Sequence, residues 1–208
     1  MLTKLITVTP EAEKLIAHMA RVSNPNNQDN PEIDKLLAYC ARNSHWSIFE
    51  MANMVVEINT SRAIAQQILR HRSFSFQEFS QRYAEVKNLE TYEARSQDVK
   101  NRQNSNNDMT KEDKAWFQKA QSEVHTQAKD LYEQALSRGI AREQARFLLP
   151  VSASTKMYMN GTVRSWIHYL QLRCGNGTQQ EHKDIANEIK KIFIEQFPIT
   201  SQALEWEA

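Results

Sequence analysis

The chain has 208 residues, 40% hydrophobic and 25% charged, which is enough for one domain with a real core and too apolar for a disordered chain. Its formal net charge of +1 argues against a nucleic-acid binder, because neutralising phosphates needs a basic excess on some face. Two cysteines without zinc spacing read as reduced thiols, and four glycines cannot be arranged as GxGxxG or a Walker A loop, so a bound phosphate would be held by arginines and helix N-termini.

The N-terminal "MLTKLITVTP" lacks the long apolar region of a signal peptide, and no run is long enough to span a bilayer, so the expected location is the cytoplasm. "KLITVT" reads as a strand. Thr9 suits a helix cap, with Pro10 first and Glu11 and Glu13 in the first turn of a helix that reaches about Arg21. Asn30 and Pro31 begin a second helix. "EMANMVVEINT" alternates, with Met54, Val56 and Ile58 on one face, and predicts a strand. Thr60 or Ser61 then caps a helix carrying Ile64, Ala65, Ile68 and Leu69, which runs directly into Arg70.

The chain turns polar from Tyr83 to Met109, and the stretch at about 95–109 reads as a mobile loop. Thr110 opens a long helix with Trp116, Ala120, Val124, Leu131 and Ala135 on one side and Gly139 as its C-terminal cap. "REQARFLLP" is a short helix, "STKMYMN" a strand and "TVRSWIHYLQLR" a helix. Thr178 caps a last long helix with Ile185, Ile189, Ile192 and Phe193 inward. No repeat and no linker appears. The sum is α+β, a small antiparallel sheet packed with several helices, with residues 1–208 forming a single domain.

One stretch is not explained by packing. "RHRSFSFQEFSQRY", from Arg70 to Tyr83, is dense in hydrogen-bonding groups and has no lysine. Arginine without lysine suits forked contacts to phosphate or carboxylate. In an extended segment Glu78, Ser80 and Arg82 would point the same way. Arg142 and Arg146 stand four apart on one helix. Arg164, His168 and, less closely, Arg173 project from another. "HWSIFE" puts His45, Ser47 and Glu50 just before a strand.

Together these blocks resemble the flavin-dependent (alternative) thymidylate synthases, whose signature RHR-x2-S-x2-E-x-S-x-R is filled at every fixed position by Arg70 to Arg82. "ARVSNP", "HWSIFE", "REQARFLLP", "NGTVRSWIHYLQLR" and "TQQEH" resemble further family blocks in the right order. The resemblance implies methylation of dUMP to dTMP, with methylenetetrahydrofolate as carbon donor and tightly bound FAD, reduced by NADPH, as hydride source. It also implies a homotetramer whose active sites are shared between subunits. Carried over position by position, it puts Ser23, Ser47, Glu50, Arg70, His71, Arg72, Ser73, Glu78, Thr162, Arg164 and His168 on FAD. Gln67, Arg70, Glu78, Ser80, Gln81, Arg82, Arg146 and Arg173 would bind dUMP. Arg173 would sit against the uracil ring as the catalytic group. A guanidinium keeps its proton, so its role would be electrostatic, favouring negative charge on the ring. Gln77, Gln81 and Thr162 differ from residues found in relatives, and Gly177 stands near where some relatives place a histidine.

Two other readings fit parts of the pattern. A nucleic-acid-binding module would use the arginines with Phe74, Phe76 and Phe79 as stacking platforms. An inactive flavin- or nucleotide-binding homologue would keep the contacts and lose the chemistry. No metal site, nucleic-acid partner or membrane partner is expected.

Overall fold

The computed structural model describes residues 2–206. Its elements, in order, are β1 (Thr3–Val8), α1 (Ala12–Ala20), α2 (Asp34–Arg42), β2 (Asn53–Ser61), α3 (Arg62–Ile68), β3 (Ser75–Glu78), β4 (Ser96–Gln97), β5 (Ser105–Asn106), α4 (Lys111–Ser137), α5 (Arg142–Ala145), β6 (Ser154–Thr162), α6 (Val163–Arg173), α7 (Gln180–Gln196) and α8 (Pro198–Ala203). Single 3₁₀ turns cover Pro25–Asn27, Trp46–Glu50 and Arg146–Leu148. Among the described residues no helix is long and apolar enough to cross a membrane.

The main sheet has the order β1-β2-β6-β3, with every pairing antiparallel. Alternation along the central strands explains its single buried face. Met54, Val56 and Ile58 of β2 and Met157 and Met159 of β6 are completely buried, while Lys156, Tyr158 and Asn160 point the other way. Each such side chain stabilises the fold by roughly 1.5–3 kcal/mol relative to leaving it in water. Ile64, Trp166, Ile167, Leu170, Ile185, Ile189 and Phe193 from α3, α6 and α7 join the same core. This is the expected α+β arrangement.

Several local expectations differ. Thr9 does not cap α1; its hydroxyl accepts from the Asn53 amide at 2.9 Å and so serves β2, while Glu11 precedes the helix at a φ of 49°. α2 starts at Asp34, because Asn30 folds back to accept from the Glu32 amide and Arg21 takes the Asn30 and Glu32 carbonyls. Ser61 stands before α3 but makes no side-chain cap. The 95–109 stretch carries the β4–β5 hairpin, tied by Gln97 and Asp98 to neighbouring backbone and by an Arg95–Glu181 ion pair to α7. Thr178 does not cap α7; its hydroxyl donates to the Leu172 carbonyl. α8 is an unforeseen element, capped by the buried Glu13, which accepts from the Thr200 amide at 2.6 Å and the Ile199 amide at 3.3 Å.

α4 begins as expected, with Thr110 accepting from the Asp113 amide, and Gly139 follows its end at a φ of 79°. Its packed face differs. Tyr132 and Ala135 are buried in a small separate cluster with Ala145, against which Leu136 and Leu149 pack, and Ala128 is buried one turn before Tyr132. Trp116, Val124 and Leu131 are 68%, 54% and 43% exposed. Within one chain the helix meets the body mainly through its C-terminal half, so its apolar stripe stays open.

Candidate active site

The signature is not one continuous arm. Arg70 to Ser73 form the turn after α3, Ser75 to Glu78 form edge strand β3, and Ser80 to Ala84 form a second turn in which the Ser80 carbonyl accepts from the Tyr83 and Ala84 amides. The chain turns at Ser80, so Glu78, Ser80 and Arg82 do not share one strand face. Phe74 anchors the first turn: it is buried, edge-on to Trp166 at 4.8 Å, and lies directly over Gly161.

The first turn meets the end of α6. Arg173 donates its Nε–H to His71 Nε2 at 2.9 Å. Burial, then the Arg173 charge, pushes the His71 ring down to about 4, so it is neutral and accepts through Nε2. No other side-chain hydrogen bond of Arg173 occurs among the described residues. Gln67, one turn earlier, donates to Gln179 at 2.6 Å, beside α7.

A second group gathers at the start of α6. Thr162 caps the helix by accepting from the Ser165 amide at 3.2 Å, and the Ser165 hydroxyl donates to the Ser73 carbonyl at 3.2 Å. Arg164 pairs with Glu50, and the His168 ring sits edge-on to Trp46 at 5.2 Å. Burial and the Arg164 charge lower His168. Ser47 and Arg164 line a cleft of about 640 Å³ with Tyr39, His45 and Trp46. Ser23 lies exposed in the turn after α1, whose Ala20 lines the same cleft. Arg164 and Arg173, nine residues apart, serve opposite ends of α6 rather than one cluster.

A third group surrounds the second turn. Glu78 accepts from Arg62 at 2.7 Å and from the Thr155 hydroxyl at 2.9 Å. Arg82 pairs with Glu143 at 3.1 Å and Arg142 with Glu85 at 2.9 Å. The Ser80 hydroxyl accepts from the Arg82 amide at 3.3 Å, Gln81 is buried, and Arg146 lies 5.6 Å over the Phe147 ring. Because α5 tightens into a 3₁₀ turn, Arg142 and Arg146 have separate partners. Among the described residues no hydrogen bond or ion pair joins this group to His71 or Arg173.

Sequence reasoning passed over Arg62, although a cation at the first position of a helix opposes the dipole and signals a partner elsewhere. Tyr169 read as core, and His182 carried no role beyond its place in the block "TQQEH". Both cysteines are free, and burial pushes both thiols up.

A family model described as thymidylate synthase complementing protein matches residues 4–199. A flavin-dependent thymidylate synthase from Synechocystis is 57% identical over 194 residues, covering 93% of this chain and 90% of the relative. The chain belongs to the flavin-dependent thymidylate synthase family. A probable member from Paramecium bursaria Chlorella virus 1 is 54% identical over 217 residues, covering 99% of this chain and all of the relative. Among solved structures, a UMP/dUMP methylase from Streptomyces cacaoi bound with 5-Br dUMP superposes with a TM-score of 0.87 at 25% identity, covering 98% of this chain and 94% of that one.

Proposed function

We propose that this chain methylates dUMP to dTMP, taking the carbon from methylenetetrahydrofolate and the hydride from FAD reduced by NADPH. The observation that carries the reading is the Arg173–His71 contact inside a complete signature, in a chain that belongs to this family. The donor set fits FAD. Arg70 and Arg72 are exposed and form no ion pair among the described residues, which suits a pyrophosphate; the Ser47–Arg164 cleft has aromatic walls, which suit a planar ring. Ser23, Glu50, Ser73, Glu78, Thr162 and His168 complete the proposed flavin contacts. When bound and reduced, FAD supplies the hydride that turns a transferred methylene into methyl.

The chain's own residues do the rest. Gln67, Arg70, Glu78, Ser80, Gln81, Arg82 and Arg146 bind and orient dUMP. Arg173 holds a fixed positive charge at the pyrimidine and favours loss of the N3 proton, so that C5 becomes nucleophilic. His71 assists by remaining neutral: it orients the guanidinium without adding a second cation. C5 bonds to the incoming carbon, whose bond to the folate nitrogen then breaks; tetrahydrofolate leaves after its nitrogens take up protons, the C5 proton goes to solvent, and N3 regains its proton once the methyl group is complete. A cysteine adduct is disfavoured because both thiols are raised by burial. Ser80 lacks an adjacent base among its hydrogen-bond partners, so it is a contact rather than a nucleophile.

The third group stands apart from Arg173 within one chain, and the α4 stripe is open. We therefore read the active form as a homotetramer in which one copy brings Arg82 and another brings Arg173. The single-strand binding reading is less well supported, because Phe74 is buried core and Phe76 packs against that core rather than standing free as a stacking platform.

The decisive experiment is tritium release from [5-³H]dUMP with methylenetetrahydrofolate, NADPH and FAD. FAD-dependent release is expected from wild type and should collapse in Arg173→Ala while dUMP still binds. No release from folded, flavin-loaded wild type would sink the reading.

A further inference from the structure

Arg173 and His71 do not stand alone. Tyr169 lies one helical turn before Arg173 on α6, and its ring meets His71 edge-on at 4.8 Å. Its hydroxyl lies 3.0 Å from His182 Nε2, on the first turn of α7. Tyr169 and His182 are buried, and His182 Nδ1 has no hydrogen-bond partner among the described residues. Whichever way the proton lies between hydroxyl and ring, one polar atom of a fully buried imidazole is left unmatched. Two apolar side chains of similar size would fill this space without that penalty. The polar pair therefore has a use other than packing, and its neighbours show what it is.

We propose that Tyr169 and His182 are positioning residues for Arg173: their buried hydrogen bond locks the last turns of α6 to the first turn of α7 and holds the His71 ring as acceptor for the guanidinium. The geometry gives each member one task. His182 fixes the Tyr169 hydroxyl, the Tyr169 ring fixes the plane of His71, and His71 Nε2 fixes Arg173 Nε. The segment from Cys174 to Gln179 between the two helices has no other side-chain link of this kind to α6 than the Thr178 hydroxyl on the Leu172 carbonyl. Both imidazoles are neutral, His182 lowered to about 3 chiefly by burial, so the chain adds no charge beside the guanidinium. His182 touches no substrate in this scheme; it acts through Tyr169.

The inference rests on the proposed reaction for its meaning, and two readouts keep the two apart. The first is turnover. Tyr169→Phe should lower kcat roughly tenfold to hundredfold, the scale expected when a reacting group is misplaced by about an ångström, with the KM for dUMP little changed. His182→Leu should behave alike. His182→Gln, which keeps an amide near the hydroxyl, should recover most of the loss. The second readout needs no turnover. In protein labelled with ¹⁵N-histidine, His71 should show one neutral tautomer, protonated at Nδ1; in Tyr169→Phe it should become a mixture of tautomers. Full kcat and an unchanged His71 signal in Tyr169→Phe, with only a lower melting temperature, would overturn the proposal and leave the reaction standing. If wild type releases no tritium, the reaction reading falls, and the His71 signal alone still decides whether the pair positions Arg173.

Discussion

At the scale of single residues, the site depends on neighbours that carry no functional chemistry. Gly161 is one. A Cβ there would run into two ring carbons of Phe74 well inside van der Waals contact, and Phe74 in turn supports Trp166, Tyr169 and the His71 turn. Gly161→Ala should therefore destabilise the fold by about 1–3 kcal/mol, as overpacking does, and a thermal melt unchanged from wild type would refute the contact. The two neutral imidazoles give a second residue-scale prediction. Above about pH 6.5 they are uncharged in folded and unfolded chains alike and contribute nothing to pH dependence. Below it the unfolded chain takes up protons that His71, at about 4, and His182, at about 3, refuse, so stability falls with acidification. Urea midpoints measured from pH 7 to pH 5 should drop within this window, before depressed carboxylates such as Glu181 begin to titrate. The signature's residues were legible because arginines without lysine, interleaved with acid and hydroxyl, fit no packing role. The pairing of Tyr169 with His182 was not, because an aromatic on the apolar face of a helix reads as core and nothing in "TQQEH" names a partner thirteen residues back.

Among elements, periodicity was enough to read β2, α3 and α7, whose marked residues are buried except for the half-buried Leu69 and Ile192, while β6 and α6 were read as a strand and a helix with no inward face assigned. Short elements escaped. Strands of two residues, as in β4 and β5, carry no period, and the Arg95–Glu181 pair that anchors them joins residues far apart in sequence. Caps were misread where the hydroxyl serves another partner, as Thr9 serves β2 and Thr178 the Leu172 carbonyl, and α8 escaped notice with its cap, which comes from Glu13 on α1. That last contact is testable. Glu13→Ala leaves the Thr200 and Ile199 amides without their acceptor and should lose about 1–3 kcal/mol, whereas Glu13→Gln keeps a carbonyl oxygen there and should lose less. Equal melting temperatures for both variants and wild type would show that α8 needs no cap.

For the molecule as a whole, the fold class was readable from the order of patterns, but the partition of surfaces was not. The stripe Trp116, Val124 and Leu131 has the spacing of a packed face, yet inside one chain it covers nothing and borders an apolar groove of about 710 Å³. A sequence states that a face is apolar without stating whose core it enters. The proposed homotetramer gives the stripe a partner and brings the separated groups of the site together. Val124→Glu should lower the mass seen by sedimentation and abolish tritium release together. Mixing inactive Arg82→Ala with inactive Arg173→Ala should restore part of the activity, since some mixed sites then hold both native arginines. No recovery after verified subunit exchange would place both residues in one copy's site.

The ladder between β2 and β6 has a consequence in time. It joins segments about a hundred residues apart, and β3 has its ladder only with β6. Closing so long a loop is slow compared with winding α4, whose contacts are local. The strand of the signature thus waits for a segment made after residue 150, and Arg173 follows later still. A growing chain holds its signature long before it holds the site, so no nucleotide can help the early steps of folding; it can only trap the finished product.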